Sequence, residues 1–100
     1  MSAFGRRPNP VFGDEYKVLR DVLVDARREA GLSQRALAAR LGKAKSHIGM
    51  IERGQRRVDA LELYHLALCL GRDPCDLFSA IALRLRARGA RAPEPGARAG

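Results

Sequence analysis

Four glycines divide the middle of the chain into short segments, and this division limits what the chain can fold into. They are Gly31, Gly42, Gly54 and Gly71, and each follows a run of apolar residues at helical spacing. Glycine commonly ends a helix because it adopts the left-handed conformation without steric cost. The 100 residues also include no Trp and many Ala, Leu and Arg, which favours helix over strand. We therefore predict one all-α domain.

The periodicity predicts five helices. They begin at Asp14, after Ser33, before Ile48, near residue 58 and at the Asp73–Pro74 pair. Ser and Asp are favoured at helix N-caps because their side chains accept hydrogen bonds from the first-turn N–H groups. The fourth segment, 58–70, is apolar almost all round, so we expect it to lie centrally in the core or to be shared with a partner.

The two ends of the chain lack this periodicity. Residues 1–13 contain two prolines and two glycines and are interpreted as a flexible arm. Residues 88–100, RGARAPEPGARAG, hold no large apolar side chain and are interpreted as a disordered tail. The domain is therefore predicted over 14–87. No signal peptide and no apolar run of about 18 residues is present, so we expect a cytoplasmic protein without a membrane partner.

The formal net charge of +8 is concentrated in the centre of the chain. Residues 33–57 hold seven basic residues and a single acidic one, Glu52, whereas residues 58–79 hold one basic and four acidic residues. A basic patch of this kind attracts a polyanion through the release of counterions. A solvated surface usually mixes both signs, so the distribution favours nucleic acid as the partner.

Five residues of the same stretch have the spacing of a helix-turn-helix. With Gln34 as position one, Ala38 is at five, Gly42 at nine, Ile48 at fifteen and Ile51 at eighteen. The small Ala38 lets two helices approach, and Gly42 allows a tight turn at positive φ. The isoleucines seat the second helix on the core. Residues 34–53 are therefore predicted to form this motif.

Three stretches carry a resemblance to a known family: GLSQRALAARLG, SHIGMIERGQRRV and LALCLGRDPCDLF. Together they resemble the XRE-type, lambda-repressor-like regulators of phages and bacteria, over about residues 16–78. The resemblance implies a five-helix bundle whose third helix enters the major groove of double-stranded DNA. Ala44 departs from the family, where Ser or Thr often caps this helix, so about 1 kcal/mol of capping is expected to be missing.

The outward side of the third helix supplies the candidates for reading bases, which are Lys45, Ser46, Gly49 and Met50. Lys45 is suited to guanine O6 or N7, and Met50 to a thymine methyl group. Gly49 should cost about 1 kcal/mol relative to Ala, and a close approach to DNA would explain it. The alternatives are a solvated helix face and, for Gly49, a residue that the fold merely tolerates.

A second set is predicted to hold the DNA backbone and so to set affinity rather than sequence choice. It consists of Gln34, Lys43, Arg53, Gln55, Arg56 and Arg57. Family members bond a phosphate with a Gln at the position of Gln34, and a helix N-terminus itself favours an anion. A helix cap is the alternative for Gln34, and surface solubility is the alternative for the arginines.

Two further predictions concern the fold and the assembly. In the family, residues at the positions of Arg27 and Glu52 form an ion pair between the first and third helices, which implies a structural pair here. In the fifth helix, Leu77 and Phe78 are predicted to lie in the core. A two-fold dimer interface is predicted at Ile81, Ala82 and Leu85.

An enzyme or a zinc-binding protein is one alternative to this interpretation. His65 and Cys69 are one helical turn apart and His47 is the other histidine, but no third and fourth ligand are placed to complete a site. We therefore predict no catalytic residue, no metal and no cofactor. An antitoxin or other interaction module that also binds DNA, and uses the fifth helix or the tail, remains an alternative.

The resemblance implies a sequence-specific regulator that binds an inverted repeat as a homodimer, most simply as a repressor. Activation through contact with RNA polymerase is the alternative. A bacterial or phage protein, associated with the nucleoid when bound, is expected.

Overall fold

The computed structural model describes residues 13–90, and within this range all regular secondary structure is α-helical. The helices are α1 (Asp14–Glu29), α2 (Gln34–Leu41), α3 (Lys45–Glu52), α4 (Ala60–Cys69) and α5 (Pro74–Ala87). The prediction of an all-α fold with five helices is confirmed. Most of the arm predicted over 1–13 and of the tail predicted over 88–100 lies outside the described residues.

Side-chain caps start three of the helices. Ser33 Oγ accepts a hydrogen bond from Ala36 N (3.0 Å) at α2, and Asp59 Oδ1 accepts one from Glu62 N (2.8 Å) at α4. Asp73 Oδ1 accepts from Cys75 N (2.7 Å) at α5, where proline occupies the first turn. Each cap satisfies an N–H group that the helix itself leaves without a partner.

The core lies where the five helices converge. α2 packs chiefly on α3, α1 packs on α3 and α5, and α4 packs on α2 and α5. The buried apolar side chains are Val18, Val22, Leu23, Ala26, Leu37, Ala38, Ile48, Ile51, Leu66, Ala67, Leu70, Leu77 and Ile81. Although α4 is apolar almost all round, only one side of it is buried. Leu61, Tyr64 and Leu68 lie exposed on the other side.

Two predictions for α5 are wrong. Ile81, predicted at a dimer interface, is 1% exposed and belongs to the core, whereas Phe78, predicted in the core, is 55% exposed. Leu77 and Ile81 lie four residues apart on the side of the helix that faces the core, and Phe78 is rotated about 100° away from Leu77. Ala82 and Leu85 are half-buried. Leu85 packs partly against the core, and the rest of its surface remains available.

Ion pairs on the surface join α1 to the C-terminal half of the domain. Arg84 donates to Asp25 (2.8 Å), and Arg72 donates to Glu29. Both pairs link residues far apart in the chain, but exposed pairs of this kind contribute only about 0.2–1 kcal/mol each. Within residues 13–90 no helix is long and apolar enough to span a membrane.

Candidate nucleic-acid interface

The α2–turn–α3 unit forms as the spacing predicts. Leu37 and Ala38 of α2 and Ile48 and Ile51 of α3 are all buried, with at most 3% of their surface exposed. Gly42 ends α2 in the left-handed conformation, with φ of 76°. The two isoleucines therefore hold α3 on the core by one side and leave its other side outward.

Lys45 and Ser46, in the first turn of α3, are exposed. Met50, one turn further along, is half-buried and keeps part of its thioether side chain at the surface. These three candidates for base reading therefore lie on the accessible side of the helix.

Gly49 differs from them, because it is buried rather than exposed. A Cβ atom at this position would lie 3.0 Å from Arg53 Nη1 and 3.7 Å from Gln34 Oε1. The side chains of Arg53, at the end of α3, and of Gln34, the first residue of α2, therefore cover Gly49. Its missing side chain makes room for the Arg53 guanidinium, so Gly49 offers little surface of its own to a ligand.

The carboxylate of Glu52 is the polar centre of the unit. Arg27 donates to both of its oxygens, from Nε to Oε2 (2.7 Å) and from Nη2 to Oε1 (3.1 Å). Gln34 Nε2 donates to Oε1 as well (2.8 Å). Arg27 Nη1 also donates to the carbonyl of Leu32 (2.8 Å). The structure thus brings Arg27 and Glu52 together and fixes α3 against α1 and α2 through one largely buried acid.

Gln34, which is predicted to contact a phosphate, donates a hydrogen bond to Glu52 in the structure. One amide hydrogen is engaged by Glu52, and the amide has a second hydrogen to donate. The side chain is half-buried at the start of α2, beside the N–H groups of that helix. The contact with Glu52 fixes the Gln34 amide at the N-terminal end of α2.

The basic residues of 33–57 have a common environment. All seven are exposed: Arg35, Arg40, Lys43, Lys45, Arg53, Arg56 and Arg57. None of the seven forms a salt bridge with a carboxylate in the described part of the chain. The single acid of the stretch, Glu52, is occupied by Arg27. Gln55, also exposed, accepts from Arg53 Nε (3.2 Å).

The helix ends add to this positive potential. α1, α4 and α5 each carry acidic residues in the first turn, which neutralise the partial positive charge of a helix N-terminus. The first turns of α2 and α3 carry none, and α3 begins with Lys45 after Ala44, whose side chain forms no capping hydrogen bond. The N-termini of the helix-turn-helix are thus the ones left to attract an external anion.

Known proteins resemble this chain in sequence and in fold. A family model described as helix-turn-helix matches residues 23–77. An HTH-type transcriptional regulator of Sinorhizobium fredii, y4dJ, is 36% identical over 58 residues, which are 58% of this chain and 75% of the relative. An XRE-family like protein from Pseudomonas syringae pv. tomato is 37% identical with a TM-score of 0.66, over 70% of this chain and 85% of its own. The chain belongs to the XRE-type helix-turn-helix family of DNA-binding transcriptional regulators.

A further structural neighbour of this XRE-type chain is the restriction-modification controller protein C.AhdI from Aeromonas hydrophila. The two are 38% identical, with a TM-score of 0.57, over 66% of this chain and all of the controller. The family and the five-helix fold that the sequence resemblance implied are therefore confirmed.

Sequence reasoning missed two contacts that orient α3 in this XRE-type domain. His47 Nε2 lies 2.6 Å from Glu62 Oε2, which ties α3 to α4 by a largely buried hydrogen bond. Arg20 lies over Gly54, where a Cβ would be 2.7 Å from its Nη1, and that nitrogen is 3.5 Å from the carbonyl of Glu52. For the contact between His47 and Glu62, the sequence offered only a histidine on the flank of the helix. No local sequence pattern predicted the contact between Arg20 and Gly54.

Proposed function

We propose that the protein is a sequence-specific repressor that binds an inverted repeat as a homodimer in the bacterial cytoplasm. Each subunit places α3 in a major groove, and the two grooves lie about 34 Å apart on one side of the duplex. Repression follows from occupation of a promoter. The observation that carries the proposal is a set of seven exposed cations with no carboxylate partner among residues 13–90. They lie on and beside a helix-turn-helix whose one acid, Glu52, is largely buried and paired with Arg27.

The roles of the exposed residues divide by position. Lys45, Ser46 and Met50 lie along the outward side of α3, from which side chains reach base edges in the major groove. Lys43 precedes the helix and Arg56 and Arg57 follow it in the loop, so they flank the groove and meet phosphates. Arg53 donates a hydrogen bond to Gln55, and the two side chains together present N–H donors at the end of α3.

The proposed dimer uses the outward side of α5. One stripe along the helix contains Phe78, Ala82 and Leu85, which are spaced by four and three residues. Ala82 and Leu85 are two of the three residues predicted at the interface. A groove of about 480 Å³ beside Phe78 is lined by Tyr64 and Cys75 among others. A two-fold interface needs a projection and a recess on the same surface, and this surface has both.

The decisive experiment selects duplexes from a random library with the purified protein and then titrates the recovered sequence. Lys45→Ala is expected to cost about 1–3 kcal/mol at one base-pair position and to relax the preference there. Arg56→Ala is expected to weaken all sequences alike and to reduce the slope of log affinity against log salt by about 1. Arg86→Ala, an exposed arginine near the end of α5, is the matched control and should change neither.

Absence of duplex binding at low salt would overturn the proposal. The dimer is tested separately with Phe78→Ser, which leaves the core intact. This change is expected to yield a monomer in sedimentation and to lose affinity for the full repeat while keeping the affinity of a half-site. If Phe78→Ser stays dimeric, the interface lies elsewhere.

A further inference from the structure

A groove of about 630 Å³ lies beside the proposed DNA surface, between the end of α2, the loop after α3 and the outer side of α4. We call it the α2–α4 groove. The residues that define it here are Arg40, Lys43, Arg56, Leu61, His65 and Leu68. It is separate from the recess beside Phe78, which the proposed dimer uses.

The floor of the α2–α4 groove is apolar and open. Leu61 is 66% exposed and Leu68 is 51% exposed, although both are large aliphatic side chains. They are seven residues apart, which places them on the same side of α4 about two turns, or roughly 10 Å, from each other. His65 lies exposed between them. A surface this open is covered better by a segment of a macromolecule than by a small molecule, which would bind in a more enclosed site.

The charges of the groove favour an acidic occupant. Arg40, Lys43 and Arg56 are exposed, and Arg40 uses Nη1 on the carbonyl of Cys69 (3.0 Å), which leaves its other N–H groups to donate. The two acids of the groove have partners within the fold. Glu62 is bonded to His47, and Asp59 accepts from the backbone at the start of α4.

We propose that the α2–α4 groove binds an acidic amphipathic helix of a partner protein. Apolar side chains of that helix, at positions i, i+3 or i+4, and i+7, would cover Leu61 and Leu68, and carboxylates beside them would meet the three cations. A second copy of this chain is the alternative occupant, and it would show itself as a loss of self-association in Leu68→Ser.

Two of the three cations, Lys43 and Arg56, also belong to the proposed phosphate contacts. They cannot serve a carboxylate and a phosphate at once, so the acidic helix and DNA compete. The partner would release the regulator from its operator. This regulatory part rests on the proposed function, whereas binding of the helix to the groove does not.

The test uses a synthetic helical peptide of about 15 residues, with leucines at the stated spacing and glutamates on the flanks. Binding to the full chain without DNA is followed by fluorescence anisotropy and by backbone amide shifts in NMR spectra. We expect saturable binding that shifts amides of α4 and the end of α2. Leu68→Ser and Arg40→Ala are each expected to weaken it about tenfold, while Leu83→Ser, which alters an equally exposed leucine on α5, leaves it unchanged.

Four results would overturn the groove proposal. Two of them are that a peptide with lysine in place of glutamate, or a scrambled peptide, binds as tightly as the designed peptide. The third is that the designed peptide shows no saturable binding to the folded wild-type chain. The fourth is that Leu68→Ser loses self-association when no peptide is present. Circular dichroism checks that each variant is folded.

Competition is then measured with the selected duplex. Displacement of the peptide by DNA supports the regulatory part, and simultaneous binding of both overturns it while the groove proposal stands. A protein that binds the peptide but no duplex shows instead that the proposed function has failed.

Discussion

Helices α3 and α5 were predicted from the same kind of apolar spacing, yet the spacing oriented only α3 correctly. In α3, Ile48 and Ile51 are buried and Lys45 and Ser46 are exposed, as predicted. In α5 the predicted places of Phe78 and Ile81 are exchanged. The difference lies in how many orientations of the helix about its own axis would bury its large apolar side chains.

α3 is eight residues long and holds two isoleucines, which share one side. A helix this short, between the Gly42 turn and Gly54, has one rotation that buries both. α5 has 14 residues, and its large apolar side chains are spread around much of its circumference. Several rotations then bury a similar apolar area, and the choice is made by the helices that α5 meets.

The largest effect is expected at the polar centre that fixes α3. Glu52→Ala removes the acceptor of Arg27 and Gln34, and the Glu52 side chain is only 10% exposed. A guanidinium left in a largely buried place without its partner should lower the free energy of unfolding by about 3–5 kcal/mol. Urea denaturation followed by circular dichroism measures this change.

The control for Glu52→Ala is the exposed pair Lys17–Asp21, whose side chains are 57% and 48% exposed. Asp21→Ala should change stability by less than about 0.5 kcal/mol, because water screens the pair. Equal losses in the two variants would contradict the view that α3 is oriented by a largely buried network.

The second prediction tests the corrected rotation of α5. Ile81→Ala should destabilise the fold by about 2–5 kcal/mol, since it leaves a cavity in the core. Phe78→Ala should change the stability of the monomer by less than about 0.5 kcal/mol. Thermal unfolding at a dilution where the protein is monomeric separates this effect from loss of the proposed dimer. If Phe78→Ala were the more damaging change, the rotation described above would be wrong.

The helix-turn-helix could be predicted from sequence because its determinants are local. Ser33 caps α2, Gly42 turns the chain, and two isoleucines face the core, all within the stretch 33–51. The resemblance supplied Arg27 as the partner of Glu52. The contact of Arg20 with Gly54 joins residues 34 positions apart, so no local pattern marks it. The burial of Gly49 likewise depends on side chains from two helices.

Gly49 offers the third test, in which stability and DNA binding respond in opposite directions. In Gly49→Ala the new Cβ lies against the end of the flexible Arg53 side chain, so the guanidinium is displaced rather than the helix. Stability should stay the same or rise by up to about 1 kcal/mol. Affinity for the selected duplex should fall about tenfold, or 1.4 kcal/mol, if the guanidinium is placed to donate to DNA.

Arg53→Ala completes this test as one side of a double-mutant cycle. If Gly49 acts through Arg53, the double variant binds DNA no more weakly than Arg53→Ala alone. Additive losses would show that the alanine methyl group itself obstructs the duplex.

The smallest effect is expected at Ala44, the N-cap of α3. Its backbone is extended (φ −74°, ψ 155°), as an N-cap requires, so Ser can replace it without strain and accept a hydrogen bond from the first turn. Ala44→Ser should stabilise the fold by about 1 kcal/mol and slow amide hydrogen exchange in α3 more than in α5. Ala39→Ser, at an exposed position inside α2, is the matched control and should be slightly destabilising, because serine there gains no cap. If both serines had the same effect, the missing cap would not be what limits α3, and its orientation would depend on its packing and on the contacts of its own side chains instead.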